Sequence, residues 1–220
     1  MIKFYRVSKL FGGQIPALAE ASLVLEKGEF AYLTGPSGAG KSTVLKLAAG
    51  LWQPTSGQVV TMGRNLGALA AVDRRRLRRR IGVVFQDFKL LYDRSVFENI
   101  AFALDVTGLP RRQIKNRVDS VLEWVGLTSK ARAMPHRLSG GEQQRVAIAR
   151  AVAVNPLVVL ADEPTGNLDE EMSEQIMRLF KDLHYRGTTV LIATHSRAMI
   201  QAFPAKTIHL AGGRVESTSF

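Results

Sequence analysis

A glycine-rich run between a strand-like and a helix-like stretch constrains this chain most. It has the spacing G-x-x-x-x-G-K-[ST] and consists of Gly35, Pro36, Ser37, Gly38, Ala39, Gly40, Lys41, Ser42 and Thr43. Glycines let backbone N–H groups turn onto a polyphosphate without a clashing Cβ atom, and the following helix adds its positive dipole end. Lys41 offers a mobile cation, and the Ser42 hydroxyl can ligate Mg²⁺. The alternative, an incidental glycine-rich turn, is disfavoured by the flanking patterns.

Composition limits the other sites that the chain can form. The 220 residues include no cysteine, which excludes disulfides and thiolate metal sites. No apolar run approaches the roughly 20 residues that span a bilayer, and the first residues lack a signal-peptide pattern. We therefore expect a chain that is soluble by itself.

The net charge of +11 is concentrated in two clusters of basic residues. One is the arginine-rich stretch Arg74 to Arg80, and the other contains Arg111, Arg112, Lys115 and Arg117. Such clusters suit anionic lipid head groups, an acidic protein or nucleic acid. Among these partners we favour the membrane surface for Arg74 to Arg80 and expect no nucleic acid. A solvated basic helix face stays open as the alternative.

The order of apolar patterns predicts an α/β fold that forms one domain. A β-rich N-terminal piece precedes the phosphate loop, and strands alternate with helices again after residue 155. Between them, residues 87–154 carry helical patterns and almost no strand pattern. We therefore divide the chain into a core lobe of residues 1–86 and 155–220 and a helical lobe of residues 87–154. The stretch 73–80 is predicted to be a helix or a loop.

Two adjacent acids, Asp162 and Glu163, follow the apolar strand pattern at residues 157–161. In open α/β sheets, ligands lie at the carboxyl ends of the strands. Asp162 would hold Mg²⁺ directly or through water, and Glu163 would polarise an attacking water as general base. A pair of surface acids is the weaker alternative beside a phosphate loop.

A second turn also suits an anion. Ser139, Gly140, Gly141 and Glu142 lead into a helical pattern, and a helix N-terminus attracts phosphate. Since one triphosphate already has its loop, we expect this turn to contact the nucleotide of another copy. A plain N-capped helix is the alternative.

In combination, the motifs resemble the nucleotide-binding subunit of ABC ATPases over essentially the whole chain. They occur in the order phosphate loop, Gln86, Leu138 to Glu142, Asp162-Glu163, Leu168-Asp169 and His195. The resemblance implies a P-loop NTPase core of the RecA type, with an N-terminal antiparallel β subdomain and an inserted α-helical subdomain. It also implies an ATP hydrolase that uses ATP and Mg²⁺ and forms an ATP-dependent, head-to-tail homodimer.

The same resemblance implies roles for single residues. Phe11 would stack on adenine, unless it is a core aromatic. Gln86 would reach Mg²⁺ and the attacking water, and His195 would contact the γ-phosphate. Asp169 would lie in the loop at the dimer interface, unless it only caps a helix. The expected catalytic residues are thus Lys41, Gln86, Glu163 and His195, and the expected metal ligands are Ser42, Gln86 and Asp162.

The stretch from Ala161 to Asp169 is similar to ATPases of the lipoprotein-release, macrolide-efflux and cell-division type. Residues 32–42 and 85–91 look most like the FtsE family of cell-division ATPases. This likeness implies an integral-membrane partner of the FtsX type, a position at the cytoplasmic face of the inner membrane and control of septal cell-wall hydrolases. We expect the partner to dock beside Gln86, over Phe88, Leu90, Leu91 and Tyr92.

Two other functions remain open from the sequence. The nearer one is the ATPase subunit of a lipoprotein-release or efflux transporter. The farther one is a nucleic-acid ABC protein, which only the arginines favour.

Overall fold

The computed structural model describes residues 1–219; Phe220, the end of the predicted core lobe, lies outside the described residues. The strands are β1 (Ile2–Phe11), β2 (Ile15–Leu25), β3 (Phe30–Thr34), β4 (Ser56–Thr61), β5 (Arg64–Asn65), β6 (Ile81–Val84), β7 (Val158–Asp162), β8 (Thr189–Ala193), β9 (Lys206–Ala211) and β10 (Arg214–Ser219). The helices are α1 (Lys41–Ala48), α2 (Ala71–Arg78), α3 (Val96–Asp105), α4 (Arg111–Trp124), α5 (Gly140–Val152), α6 (Glu170–Tyr185) and α7 (Arg197–Ala202), with 3₁₀ turns at Thr128–Lys130 and Pro135–Arg137.

The first sheet is antiparallel, with strand order β2-β1-β4-β5. The apolar pattern predicts strands at residues 2–7 and at about 20–34, whereas β1 and β2 both extend further toward their shared Gly12-Gly13 turn. Arg6 and Glu20 have positive φ values of 46° and 53°, and the pairing of β1 with β2 shifts register on both sides of Val7. Such bulges interrupt the period-two alternation, which explains why the strands look shorter in the sequence.

The second sheet has the order β10-β9-β3-β8-β7-β6, and all its strands except β10 run parallel to their neighbours. Its central strand β3 is apolar on both faces. On one face, Phe30 contacts His184 and Lys181 of α6, and the Tyr32 hydroxyl donates to the Phe203 carbonyl. On the other face, Ala31 and Leu33 belong to the core that also contains α1 and the first sheet. Burial on both faces explains why the parallel strands read as continuous apolar runs. The structure thus confirms the predicted α/β class with an antiparallel subdomain.

Helices α3, α4 and α5 follow β6 without an intervening strand among the described residues, and they pack on one face of the parallel sheet. Residues 73–78 of the arginine-rich stretch are helical and belong to α2, so this part of the stretch is a helix and not a loop. Helix α7 was not predicted; its six residues are too few for a clear apolar period, and Ser196 caps them by accepting a hydrogen bond from the Met199 N–H. Among residues 1–219, no helix combines the length and apolar character that a membrane span requires.

Asn99 on α3 fixes the loop that leads from β6 into the helices. It is fully buried, and its Nδ2 donates to the carbonyls of Leu91, Arg94 and Ser95. Its Oδ1 accepts a hydrogen bond from the Leu91 N–H. The side chain thus supplies the partners that loop backbone needs when it leaves water.

Replacing Asn99 by alanine would remove the side-chain partner of the partly buried Leu91 N–H and Arg94 carbonyl, whereas the carbonyls of Leu91 and Ser95 still accept from backbone N–H groups. We expect Asn99→Ala to lower the free energy of unfolding by about 1–3 kcal/mol, the usual cost of a buried group that loses its hydrogen bond. Asn116→Ala on the exposed side of α4 is the matched control and should change little. Denaturant titration followed by circular dichroism measures both, and equal stabilities would contradict the role of Asn99.

Candidate functional site

The loop from Gly35 to Thr43 connects β3 to α1 and passes close to two other segments. Gly35 and Gly40 have φ values of +139° and +104°. A Cβ atom would lie 1.9 Å from the Leu210 carbonyl oxygen at Gly35 and 2.4 Å from the Ala17 carbonyl oxygen at Gly40. Both positions therefore require glycine, for backbone conformation and for space.

Lys41, the first residue of α1, turns its side chain back over this loop. It is only 8% exposed, and its Nζ donates to the carbonyl oxygens of Gly35 and Pro36 at 2.8 and 3.1 Å. The same Nζ lies 3.9 Å from Glu163 Oε1. The ammonium is thus held at the centre of the loop, between its carbonyls and an acid from another strand.

A cavity of about 260 Å³ opens beside this lysine. It brings together residues that are far apart in the sequence: Ser37, Gly38, Gly40, Lys41, Ser42, Thr43, Gln86, Asp162 and Glu163. Ala17 on β2 also lines it, and sequence reasoning missed that residue because an alanine in a strand carries no chemical signal. The cavity therefore collects the expected phosphate, metal and general-base residues of one chain.

Asp162 ends β7 beside Ser42. Burial raises the pKa of Asp162 above its ordinary value, and the negative charge of Glu163 raises it further. The hydrogen bond from the Ser42 hydroxyl and the charges of Lys46 and Lys41 act in the opposite direction. A cation in this cavity would favour the ionised carboxylate, because nearby positive charge stabilises it.

The cavity is not a preformed cage of acidic or histidine ligands. Among residues 1–219, no group of three or more His, Cys, Asp or Glu side chains could hold a metal ion. The Ser42 hydroxyl, the Gln86 amide oxygen and the Asp162 carboxylate are oxygen donors at one wall. Such a set suits a hard cation that takes its remaining ligands from water and phosphate.

Glu163 follows Asp162 in a left-handed backbone conformation, with φ of 45°. Its N–H donates to the Ala193 carbonyl at the end of β8, which ties the acid to the neighbouring strand. Its side chain is 12% exposed, and its Oε1 lies 2.9 Å from His195 Nδ1. His195 is thereby brought to the acid, although the two residues are on different strand ends.

The turn at Ser139 lies outside this cavity. Ser139 Oγ accepts from the Glu142 N–H, and the Glu142 carboxylate accepts from the Ser139 N–H, so the two residues form a capping box at the start of α5. These bonds, with the charge of Lys130, lower the pKa of Glu142. Ser139 and Gly140 are exposed. The capped helix is therefore present, and within one chain its turn does not reach the phosphate loop.

Two further expected residues also lie outside the cavity. Phe11 ends β1 with 37% of its surface exposed, so it is not a core aromatic. Asp169 is the N-cap of α6, and its Oδ1 accepts from the Met172 N–H at 2.8 Å. The helix-capping interpretation of Asp169 thus applies, and its exposure leaves the surface role possible.

The expected docking surface requires a correction. Leu90 is 6% exposed and belongs to the core, and Phe88 is partly buried against it. Tyr92 is exposed, and so are Phe102 on α3 and Val106 directly after it, which the sequence analysis did not single out. Helical periodicity alone could not distinguish Phe102 and Val106 from the core-facing residues of α3, because α3 carries apolar residues on both sides.

The arginine-rich stretch is divided in the structure between structural and exposed side chains. Arg74 is partly buried, and its guanidinium donates to the Leu69 carbonyl. Arg75, Arg78 and Arg79 are exposed and edge a groove. Its other lining residues come from β6, α3 and α5 and include Val83, Ala103, Val106, Ala151 and Val154. The groove is thus apolar on its floor and strongly basic on one rim.

Comparison with known proteins accounts for this arrangement. Residues 18–166 match the family model described as ABC transporter. The chain is 46% identical to the "Cell division ATP-binding protein FtsE" of Bacillus subtilis (strain 168), covering 97% of this chain and 93% of that protein. It is also 46% identical to the protein of the same name in Escherichia coli (strain K12), covering 98% and 97%.

A solved structure agrees in fold over the full chain. It is the dimeric ATP-binding cassette MJ0796 in a post-hydrolysis state bound to ADP and phosphate. It has a TM-score of 0.91 and 37% sequence identity, and the match covers 100% of this chain and 98% of that one. The family match spans well over half of the chain, and the relatives cover nearly all of it. This protein therefore belongs to the ABC transporter family and is an ATP hydrolase of the ABC type.

Proposed function

We propose that this protein is the ATP-hydrolysing subunit of a membrane complex that acts in cell division. The observation that carries the proposal is the cavity that collects Ser37, Gly38, residues 40–43, Gln86, Asp162 and Glu163, with His195 bonded to Glu163. The cellular role is supported by the relatives in Bacillus subtilis and Escherichia coli, both named for cell division. A lipoprotein-release or efflux ATPase would use the same site but lacks this support.

In this proposal the loop holds the phosphates of ATP and Lys41 neutralises their charge. Helix α1 begins at Lys41 with first-turn N–H groups that no capping side chain satisfies, because its N-cap is Gly40. Phosphate oxygens would accept from these groups, and they would replace the carbonyls of Gly35 and Pro36 as partners of the Lys41 ammonium.

We assign a magnesium site to Ser42, Gln86 and Asp162. Mg²⁺ takes oxygen ligands in octahedral geometry and is usually bound through one or two carboxylates together with phosphate and water. One carboxylate, one hydroxyl and one amide oxygen at the cavity wall fit that requirement. The bound ion would stabilise the charge that develops on the transferred phosphoryl group.

Glu163 would be the general base, and His195 would orient it. The carboxylate is largely buried but lines the cavity, so one oxygen can reach a water beside the γ-phosphate while the other stays bonded to His195. The His195 ring is 70% exposed and would also contact the γ-phosphate. Lys41, whose Nζ lies 3.9 Å from the same Oε1 atom of Glu163, would stabilise charge in the transition state.

A second copy of the chain would complete the site with Ser139, Gly140, Gly141 and Glu142. In one chain Ser139 and Gly140 are exposed and outside the cavity, and the helix N-terminus at this turn attracts anions. Leu168 lies next to Gly140, so Asp169 belongs to the same surface. The related MJ0796 cassette is dimeric. We infer a head-to-tail homodimer that holds each ATP between the phosphate loop of one copy and the Ser139 turn of the other, with adenine stacked on Phe11.

We also propose that the helical lobe, residues 87–154, works as a unit against the core lobe of residues 1–86 and 155–220. The groove between α2 and α3 would receive the membrane partner, of the FtsX type, through an acidic and apolar segment. The arginine rim would attract the acidic groups, and the apolar lining of the groove, which includes the exposed Val106, would bury the apolar ones. The complex would lie at the cytoplasmic face of the inner membrane and control septal cell-wall hydrolases.

Removal of the proposed base should separate hydrolysis from binding. We expect Glu163→Gln to lower kcat by about 10²- to 10⁴-fold, the usual contribution of a general base, with ATP affinity retained. An ATP-bound dimer should then accumulate. Phosphate release and light scattering in the presence of ATP measure these effects, with the exposed Glu123→Gln as the control. Turnover close to that of the wild type would exclude Glu163 as the base.

The raised pKa of Asp162 gives a prediction for stability. Because the native carboxyl holds its proton more tightly than the unfolded one, its stabilising contribution is present at low pH and is lost as pH rises through the folded pKa. Without nucleotide, Asp162→Asn should therefore unfold at a higher temperature than the wild type near neutral pH. The difference should shrink as the pH falls, and stabilisation by Mg²⁺ with ADP should disappear.

Thermal unfolding across a pH series measures this, and Asp105→Asn at the exposed end of α3 is the control. A difference between Asp162→Asn and the wild type that grows as the pH falls would contradict the assigned direction of the shift.

The arginine rim should matter for docking and not for hydrolysis. Replacing Arg75, Arg78 and Arg79 by glutamine should weaken capture of the membrane partner by about tenfold or more, because charge complementarity is lost. Basal ATP hydrolysis should stay within about twofold of the wild type, since these residues lie outside the cavity. The control replaces Arg111 and Arg112 by glutamine.

Copurification from solubilised membranes and binding to anionic phospholipid vesicles distinguish the possible partners. Loss of vesicle binding alone would assign the arginines to lipid. Unchanged binding in both assays would leave them as a solvated helix face.

A further inference from the structure

Phe11 has an aromatic neighbour from a different segment. Trp52 lies in the loop that follows α1, and its ring centroid is 5.0 Å from that of Phe11 at an interplanar angle of 75°. This edge-to-face geometry is one that aromatic pairs prefer, because the positive edge of one ring meets the negative face of the other. The contact therefore restrains the Phe11 ring, which otherwise projects from the end of β1 beside the flexible Gly12-Gly13 turn.

Trp52 is itself attached to α1, the helix that begins in the phosphate loop. The backbone N–H of Trp52 donates to the Lys46 carbonyl, and the Lys46 ammonium lies 4.4 Å from the centroid of the indole ring. Lys46 belongs to α1, so the indole is connected through this lysine to the helix that begins in the phosphate loop.

The loop that carries Trp52 is also bonded to β1. The Thr55 N–H donates to the Ser8 carbonyl at 2.8 Å, and Thr55 Oγ1 accepts from the Leu10 N–H at 3.0 Å. Residues 51–55 and the end of β1 therefore hold their relative positions by backbone bonds. This leaves the indole to fix the direction of the Phe11 ring.

We propose that Trp52 is a positioning residue for the base of the nucleotide. The inference rests on the proposed stacking of adenine on Phe11. An exposed ring must give up rotamer freedom when a base stacks on it, and that loss reduces affinity. Trp52 restrains the ring beforehand, so the base meets a surface that is already oriented. The Lys9 ammonium, 5.3 Å from the Phe11 centroid, is on a flexible side chain and moves aside.

If Trp52 positions the Phe11 ring, removing its indole should weaken the binding of a nucleotide but not of a phosphate ligand that has no base. Trp52→Leu should raise the Kd for ATP by about three- to tenfold, as expected when one favourable aromatic contact is removed. The Kd for inorganic triphosphate, which has no base, should not change. At saturating ATP, kcat should stay within about twofold, because Trp52 does not touch the reacting groups. Trp52→Phe keeps an aromatic edge and should recover most of the ATP affinity.

Fluorescence provides an independent measurement. The protein has two tryptophans, and the other one, Trp124, is on α4 with its Nε1 bonded to Asp182. In the Trp124→Phe variant, ATP should change the emission of Trp52, whereas inorganic triphosphate should leave it unchanged. Trp124→Phe is also the binding control and should keep the wild-type Kd for ATP.

The outcomes separate this inference from the proposed function. If Trp52→Leu weakens ATP and inorganic triphosphate equally, Trp52 only supports the loop and the inference is wrong. If Phe11→Ala weakens ATP binding and Trp52→Leu does not, stacking on Phe11 stands and the positioning role is wrong. If Phe11→Ala leaves the Kd for ATP unchanged, the stacking itself is wrong, and the role of Trp52 is wrong with it.

Discussion

The close approach of the glycine-rich loop to β2 and β9 is the constraint on which the rest of this structure depends. At Gly35 and Gly40 there is no space for a side chain, since the carbonyls of Leu210 and Ala17 occupy the positions where Cβ atoms would be. The loop can therefore lie where the two sheets meet, and α1 begins at that point. Because α1 packs against β7 and β8, the helix start and the acids at the ends of those strands face one cavity.

Four parallel strands of the second sheet place functional residues at the same edge of that sheet. Strand β3 leads into the loop, β6 into Gln86, β7 into Asp162 and Glu163, and β8 toward His195. Parallel pairing aligns their carboxyl ends, which is why residues more than a hundred positions apart become neighbours. The burial that this arrangement imposes on Asp162 also raises its pKa, so folding places an acid where a cation is favourable.

The sequence predicts those parts of the fold and of the site that are marked by a short local motif or by a regular apolar period. The fold class, the fully buried strands and the cavity residues of the loop, Gln86, Asp162 and Glu163 are examples. It does not predict features that depend on distant backbone, such as the bulge at Arg6 or the lining role of Ala17. The burial of Leu90 was missed because a leucine in a loop can face either way. The pairing of Phe11 with Trp52 joins segments about forty residues apart, which no local period reports.

The internal hydrogen bonds of Lys41 have a consequence for selectivity. Its ammonium has left bulk water during folding and is satisfied by the two carbonyls of its own loop. An incoming ligand must therefore compete for the ammonium with these carbonyl oxygens and with the Glu163 carboxylate, whose Oε1 lies 3.9 Å from Nζ, and not with bulk solvent. The bonds from the ammonium to the carbonyls are already charge-assisted, so a neutral oxygen would only replace one such bond by another, whereas a multiply charged anion adds Coulomb attraction to the ammonium. The folded loop thus discriminates by charge before it recognises any other part of a molecule.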